Sequence, residues 1–440
     1  MLFTSDSRKI FNMQFLSNSS GAALRGRWGS LSFPELQDLV NKEMKSLSGK
    51  KISVLEAESS PRFISLFLAH LNAGHPVVVM AEGLSEGEKA LRKTMLSHPL
   101  HPQTAVIVFT SGSTGTPKAV QLSLDNLLAN SEAVIESLYF KQAKSQGLFL
   151  SLSYSYGLFA QLLPALSLGV PTKIYDKFTE VREDFLDNKA EGMWSGVPSH
   201  WETLLRLTTP EHCKNITHVI SAGAALPLNL RQRLRAHFPN ALCFNNYGLT
   251  EASPRVLSLS SAHPRFLEEG TVGTPVKFLQ VKEAEGGELW IKGRQVMLGY
   301  LGDERATQEK ITDGWLHSGD IALVESDGMV CIQGRMDDLF NIGGERTSPL
   351  EIDAALLQVP GVKEGAVYVD KDALYGAKIS AFLVGSEGLT KKQVLDSLRS
   401  CLSGHKIPSE FFQVHELPKT PNGKLRRAEL VKLKNTGRRI

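Results

Sequence analysis

The sequence predicts an α/β protein with a large amino-terminal domain of α/β subdomains, a small β-rich subdomain after it, and a small α+β domain at the carboxyl end. Three observations predict this. Short apolar strands alternate with helical stretches through the first half of the chain, the signature of a mostly parallel sheet with covered faces. After Glu269 the pattern changes to short strands separated by turns. Beyond Asp338 helix and strand signals alternate over about a hundred residues, enough for an independent unit. A chain of 440 residues exceeds what one hydrophobic core usually serves, and a 42% hydrophobic content can fill two or three.

The elements follow in order. Lys51 to Ala57 reads as a strand, Pro61 to Asn72 as an amphipathic helix and Pro76 to Met80 as a second strand, which together make a βαβ unit. Further strands are expected at Ala105–Phe109, Gly147–Leu150 and His218–Ser221, with helices at Leu124–Leu138 and Leu228–His237 between and after them. From Thr271 to Gln333 the turn at Gly286-Gly287 and the runs Glu288–Lys292 and Gly328–Gln333 predict the β-rich part. Arg335 to Asp338 reads as a linker. The last part reads as helix (Pro349–Gln358), strand (Gly365–Val369), strand (Lys378–Val384) and helix (Thr390–Ser403).

Charge and composition exclude several classes of function. The formal net charge is +3 with both signs interspersed, so no extended nucleic-acid surface is expected, and the basic tail Lys432–Arg439 reads as a solvated end. Cys213, Cys243, Cys331 and Cys401 lie far apart with no CxxC pairing, which argues against zinc or a disulfide framework and predicts buried thiols of a reducing, cytoplasmic compartment. The first twenty residues lack the apolar core of a signal peptide, and Arg62–Met80 is interrupted by His70, Asn72, Gly74, His75 and Pro76, so neither secretion nor a membrane span is expected.

Thr110-Ser-Gly-Ser-Thr-Gly-Thr-Pro-Lys118 follows the strand Ala105–Phe109 directly. A glycine-rich loop after a strand lets consecutive backbone N–H groups turn toward one point, to which hydroxyls add donors and a lysine adds charge; such a point suits a polyphosphate. The loop is not G-x-x-x-x-G-K-[ST], because Pro117 stands where that motif needs glycine, and it is not G-x-G-x-x-G.

This loop resembles the phosphate-loop signature of the adenylate-forming superfamily, which holds acyl- and aryl-CoA synthetases, peptide-synthetase adenylation domains and firefly luciferase. Other signatures of that family follow in order: Asn246-Tyr-Gly-Leu-Thr-Glu251, Gly287–Gly293 with Val296–Tyr300, Gly314–Asp320, Gly334–Asp338 with Gly343-Gly-Glu345, and Pro418–Lys424. The resemblance spans residues 105 to about 430, and the ordered agreement of six motifs identifies the chain as a member. It implies a large domain over 1–334, a hinge at 335–338 and a mobile lid domain over 339–440 that carries the catalytic lysine.

By the same resemblance Thr110, Ser111, Gly112, Ser113, Thr114, Gly115 and Lys118 hold the β- and γ-phosphates of ATP, and Glu251 beside Thr250 ligates Mg²⁺, a hard cation that takes carboxylate oxygens. Asp320 accepts the ribose hydroxyls and Arg335 contacts ribose or phosphate. Gly223, Ala224 and Ala225, with Asn246, Tyr247 and Gly248, lie along the adenine. Lys424, presented on a loop two residues after the turn dipeptide Asn422-Gly423, resembles the family's catalytic lysine. Asp337 falls at the hinge, and Gly343 and Gly344 at the channel for a pantetheine arm. The implied activity is attack of a carboxylate on ATP to give acyl-AMP and pyrophosphate, then transfer to the thiol of coenzyme A, or alternatively to the phosphopantetheine of a separate acyl carrier protein, since the chain ends soon after Lys424. A catalytically dead binding relative and an oxidative enzyme of the luciferase type are the readings from other classes.

The acid is expected to be aryl or fatty acyl. Its pocket is expected to draw on Tyr154, Val197, Gly223 and Gly248, with walls from Trp194–His200, Gly223–Ala225 and Asn245–Gly248. Amino-acid-activating relatives carry an aspartate near Ser151–Gly157 for the substrate's ammonium, whereas Leu148–Leu162 contains no acid; an unpaired buried ammonium is costly, so an amino acid is disfavoured. Tyr154 stands where relatives often place a histidine. The loop also begins at residue 110, earlier than is usual, which implies a shortened amino-terminal region.

Overall fold

The computed structural model describes residues 21–47, 52–111, 117–336, 340–342, 345–372, 376–386, 388–419 and 425–440. The predicted βαβ unit is present as strand Ser53–Glu56, helix Pro61–Ala73 and strand Val77–Met80, with the two strands parallel and Ser53 opposite Val77. The helix starts where it does because the Ser60 hydroxyl accepts from the Phe63 N–H at 3.2 Å and Pro61 needs no donor of its own; it stops at Gly74, whose φ of +67° suits glycine. Val77 to Met80 are all buried, as expected of an inner parallel strand.

These strands belong to a five-stranded sheet in the order Gly299–Tyr300, Pro117–Ser123, Thr104–Ser111, Val77–Met80, Ser53–Glu56. Here the structure adds a strand that the sequence reading passed over. Thr104–Ser111 pairs antiparallel with Pro117–Ser123, with Thr110 opposite Lys118 and Ser111 opposite Pro117, so the glycine-rich segment joins the two arms of a hairpin. Pro117 weakens the strand signal, yet a proline is tolerated at a strand's first residue. The helix Leu124–Ser137 begins only afterwards, closed by a reciprocal cap: Ser123 Oγ accepts from the Asn126 N–H and Asn126 Oδ1 from the Ser123 N–H.

The larger sheet runs in bonded order through Leu279–Glu283, Glu288–Gly293, Trp315–Val324, Val330–Arg335, Thr271–Pro275, Arg255–Ser260, Leu242–Gly248, Ile216–Ser221, Gly192–Gly196, Gln146–Leu148, Thr172–Ile174, Ala22–Gly26 and Gly29–Ser32. Its middle is parallel, from Thr172–Ile174 to Leu242–Gly248. The β-rich part is antiparallel, and Thr271–Pro275 bonds it to the rest, pairing with Arg255–Ser260 on one side and Val330–Arg335 on the other. Arg335, read from sequence as the start of a linker, is the last residue of a strand, with Asp320 directly across from it. One core cluster holds Phe33, Phe67, Phe159 and Phe244; a second holds Trp194, Trp201, Phe185 and Phe238.

The carboxyl-terminal domain has a sheet ordered Val362–Asp372, Gly376–Gly385, Glu410–Gln413, Arg438–Arg439, with helices Pro349–Leu357 and Lys391–Arg399. Ile352, Leu356, Val367, Leu383, Val394, Leu398 and Phe411 fill its core. The basic tail is solvated, with Lys432, Arg438 and Arg439 exposed, but it is not loose. Leu430 is fully buried, Arg438 pairs across from Gln413, Arg439 meets Glu410 at 3.0 Å, and Lys434 bonds to Asp370. Lys434 and Arg439 are thus ion-paired within the domain.

The cysteine expectation needs a similar correction. All four are free thiols, but only Cys213 and Cys243 are buried; Cys331 is half-buried and Cys401 exposed. Burial pushes the thiol of Cys213 up to about 11 and that of Cys243 up to about 12, so neither is a ready nucleophile. No helix among the described residues is long and apolar enough to cross a membrane.

Candidate active site

A cleft with a cavity volume of about 280 Å³ opens beyond the carboxyl ends of the parallel strands Ile216–Ser221 and Leu242–Gly248, the place where open α/β sheets usually bind ligands. One side of it is built around Asp320. The backbone register sets Asp320 opposite Arg335, whose Nη1 donates to Oδ1 at 3.2 Å, and the Tyr247 phenol donates to Oδ2. Burial, and then the Asp320 charge, push the Tyr247 phenol far above its ordinary range, so it remains a donor. Ser318 Oγ accepts from the Asp320 N–H at 2.9 Å. Gly319 between them has φ +77°, and a Cβ there would lie 3.1 Å from Arg335 Nη2. Lys310 donates to the Ser318 carbonyl at 3.2 Å, and burial holds its ammonium below its ordinary range.

The middle of the cleft carries Glu251. Tyr300 donates to Glu251 Oε1 at 2.9 Å, and burial followed by the Glu251 charge raises the Tyr300 phenol, which keeps it protonated. The Lys118 ammonium lies 4.7 Å from the centre of the Tyr300 ring, while Thr110 faces it across the hairpin. Thr250 Oγ1 is 2.9 Å from Ser155 Oγ. Glu251 and Asp320 are the two carboxylates lining the cleft, and the described residues contain no group of three or more His, Cys, Asp or Glu that could hold a metal. A cation here would therefore take one carboxylate together with ligand oxygens, which fits Mg²⁺ held by a polyphosphate and does not fit a resident zinc.

The far side is more apolar. Tyr154 and Tyr156 meet edge to face, 6.3 Å between ring centres. Gly223 has φ +84°, and a Cβ on it would stand 3.2 Å from Tyr154 Oη and 3.4 Å from Val197 Cγ1, so only glycine leaves this wall open. Arg255 completes it beside Pro254.

Of the residues singled out from sequence, Thr110, Lys118, Tyr154, Gly223, Gly248, Thr250, Glu251, Asp320 and Arg335 line this one cleft. Others stand apart from its surface. Ala224 and Ala225 are exposed, and Ala222 takes the lining position. Tyr247 stands behind Asp320, and Val197, only 1% exposed, lies behind Gly223. Asn246 is buried with neither side-chain polar atom bonded. Trp194, expected in the wall, sits in the second core cluster. Ser111 ends its strand, while Gly112, Ser113, Thr114, Gly115, Asp337, Gly343, Gly344 and Lys424 lie outside the described residues. Sequence reasoning gave no role to Tyr300, Lys310, Ser155, Tyr156 or Arg255. Tyr300 had a signal, since it closes the motif Val296–Tyr300.

Residues 81–301 match the family model of AMP-binding enzymes, and residues 351–424 match that of the AMP-binding enzyme C-terminal domain. A 2-succinylbenzoate–CoA ligase of Bacillus velezensis is 31% identical over 346 residues, 75% of this chain and 69% of that one. The chain belongs to the adenylate-forming AMP-binding enzymes. A 4-coumarate–CoA ligase of Oryza sativa is 30% identical over 81% of this chain and 70% of its own length. Two solved structures share the fold with TM-scores of 0.83: o-succinylbenzoate CoA synthetase from Bacillus subtilis with its acyl-adenylate intermediate, at 21% identity over 97% of this chain and 98% of that one, and ATP-bound MatB from Rhodopseudomonas palustris, at 22% over 98% and 99%. This member of the family is an AMP-forming ligase.

Proposed function

We propose that this chain converts an aryl or fatty acyl carboxylic acid to its acyl-AMP with release of pyrophosphate, and then transfers the acyl group to the thiol of coenzyme A. One observation carries the substrate class: both carboxylates of the cleft, Asp320 and Glu251, are engaged away from the Tyr154–Gly223 wall, so the ammonium of an amino acid would find no counter-charge there. The named relatives, ligases of 2-succinylbenzoate and 4-coumarate, support an aryl acid and coenzyme A as acceptor.

In this reading Asp320, held still by Tyr247 and Arg335, accepts the ribose hydroxyls of ATP. Lys118, Thr110 and the glycine-rich loop Ser111–Gly115 bind the β- and γ-phosphates, and Gly248 and Gly223 leave room for the adenine edge and the acyl group. Glu251, oriented by Tyr300, would hold Mg²⁺, which supplies neutralisation of the charge that builds on the phosphates. The substrate carboxylate oxygen forms a bond to the α-phosphorus as the bond to pyrophosphate breaks; Lys424 stabilises the charge on that phosphoryl group. A thiolate then attacks the acyl carbon and AMP leaves. Because the two steps need different surroundings, the lid domain turns about Asp337 between them, and Gly343 and Gly344 line the pantetheine channel.

The test is pyrophosphate release with ATP and Mg²⁺ across aryl, short, medium and long-chain acids, with and without coenzyme A. Turnover that requires coenzyme A and yields a thioester is expected with one class of acid. Release that stalls after about one equivalent despite coenzyme A would point instead to an adenylate awaiting a carrier protein's phosphopantetheine.

A further inference from the structure

Among the described residues two arginines are almost wholly buried, and they are satisfied very differently. Arg231, 2% exposed, spends its guanidinium on the Leu226, Phe266, Glu268 and Thr271 carbonyls and the Thr271 hydroxyl, all at 2.9–3.0 Å. It ties the chain together and has nothing left to offer.

Arg255 is also 2% exposed and lines the cleft. Its backbone is fixed, with the N–H donating to Asn130 Oδ1 at 3.0 Å and the strand register placing it opposite Gly248. Its guanidinium lies over the Tyr156 ring, 5.3 Å from the centre, yet Nε and Nη2 have no hydrogen-bond partner. Its electrostatic neighbours are the neutral phenols of Tyr156, with which it also shares a hydrogen bond, and Tyr154, and no ion pair among the described residues includes it. A guanidinium does not shed its proton in a protein, so this is a buried charge whose counter-charge is missing. The unsatisfied donors of a planar fork match a carboxylate best, since one carboxylate can accept two parallel N–H bonds.

We propose that Arg255 pairs with a second carboxylate on the acid substrate, so that the enzyme activates a dicarboxylic acid: one carboxyl is adenylated while the other is held at the Tyr154–Tyr156 wall. This rests on the ligase reading above and narrows its substrate class. The apolar faces of Tyr154 and Tyr156 contact the carbon skeleton between the two groups, and Arg255 selects acids by what their far end carries.

Titration calorimetry in the presence of α,β-methylene-ATP reads the binding step without turnover. The probes are aliphatic and aryl dicarboxylic acids, each set against its own monomethyl ester. At least one dicarboxylate is expected to bind more tightly than its ester by at least about tenfold, and Arg255→Met to remove that preference. Arg255→Lys keeps a charge without the fork and is expected to keep part of the preference, which serves as the second variant if Arg255→Met does not fold. Equal affinity for every acid and its ester in the native enzyme, or an unchanged preference in Arg255→Lys and Arg255→Met, overturns the proposal. Pyrophosphate release with the same acids judges the ligase reading separately: tight, Arg255-dependent dicarboxylate binding without any release would sink that reading and leave the anion site standing.

Discussion

The two ends of the cleft are finished to different degrees. At the nucleotide end each carboxylate has its partner within the protein: Tyr247 and Arg335 on Asp320, Tyr300 on Glu251. At the acyl end the wall is rings and a glycine, and the one strong polar group, Arg255, keeps buried donors unbonded. Groups fixed in advance cost nothing to reorganise when a ligand arrives, which suits a ligand that is the same in every turnover. Donors left open penalise any ligand that cannot fill them, and that penalty is how a site rejects near-analogues. In the proposed reading the fixed end recognises ATP, and the open end decides which acid enters.

The comparison breaks most sharply at Lys424, which lies outside the described residues. If it stabilises charge only while pyrophosphate leaves, Lys424→Ala lowers acid-dependent pyrophosphate release by about 10²–10³-fold. Conversion of supplied acyl-adenylate to thioester by the same variant should stay near the native rate, because the lid has turned by then. Equal losses in the two half-reactions would mean that Lys424 acts through binding or folding instead.

The cleft opens at the carboxyl end of the strand Ile216–Ser221, and the buried His218 of that strand makes it sensitive to acid. His218 is 2% exposed and stacks on Phe244 at 5.9 Å; burial lowers its pKa to about 4. The unfolded chain protonates the same ring near about 6.5, so the unfolded state binds more protons between those values and stability falls as pH drops from about 6.5 to 4. A shift of this size corresponds to about 3 kcal/mol, lost over that window and constant above it. Urea unfolding at pH 7.5 and 4.5 should show the loss in the native protein and a smaller one in His218→Gln. Parallel pH profiles for the two would remove His218 as the cause and point to His200, whose pKa burial also lowers to about 4.

The finished end was also the more legible one in sequence. Strand and helix positions followed from apolar periodicity, as at Pro61–Ala73 and Leu228–His237, because there local pattern and burial agree. Thr110, Lys118, Glu251, Asp320 and Arg335 stood in contiguous motifs, and the structure brings them to one cleft. The strand Pro117–Ser123 was hidden by its leading proline and by a loop whose composition drew attention away from what followed it. Lys310 and Arg255 were hidden for a deeper reason. Each looks like an ordinary charge in its own segment, and only packing, of Lys310 against Ser318 and of Arg255 against Tyr156 far away in the chain, turns it toward the cleft. Adjacent residues of a motif can be read in order; a partner missing from a buried guanidinium becomes visible only when its neighbours are known.

A milder change at the nucleotide end asks whether its internal bonds matter for ATP at all. Asp320→Asn keeps the shape but only one acceptor oxygen, so it can accept from Tyr247 or from Arg335 and not from both in this geometry, and it loses the charge that makes those bonds and the ribose contacts strong. The KM for ATP should rise by about tenfold, from weakening charge-assisted hydrogen bonds, with the ranking of acids unchanged. A shift in acid preference instead would show that the two ends are coupled and that treating them as separate is wrong.

The smallest effect is expected from Tyr300→Phe, and it is the most specific. The substitution removes the hydroxyl that donates to Glu251 at 2.9 Å and keeps the ring beneath the Lys118 ammonium, 4.7 Å away. Glu251 is only partly buried, so water can replace the lost bond and the net cost should be about 1 kcal/mol, or roughly fivefold. It should appear as a higher Mg²⁺ concentration for half-maximal pyrophosphate release, because a carboxylate free to rotate is a poorer ligand, while the KM for ATP at saturating Mg²⁺ stays constant. Tyr300→Leu removes the ring as well and should add a rise in that KM by releasing Lys118. If both variants change the two quantities together, the hydroxyl and the ring serve one function, and Glu251 is being positioned by the hairpin Thr104–Ser123 as a whole rather than by a single bond.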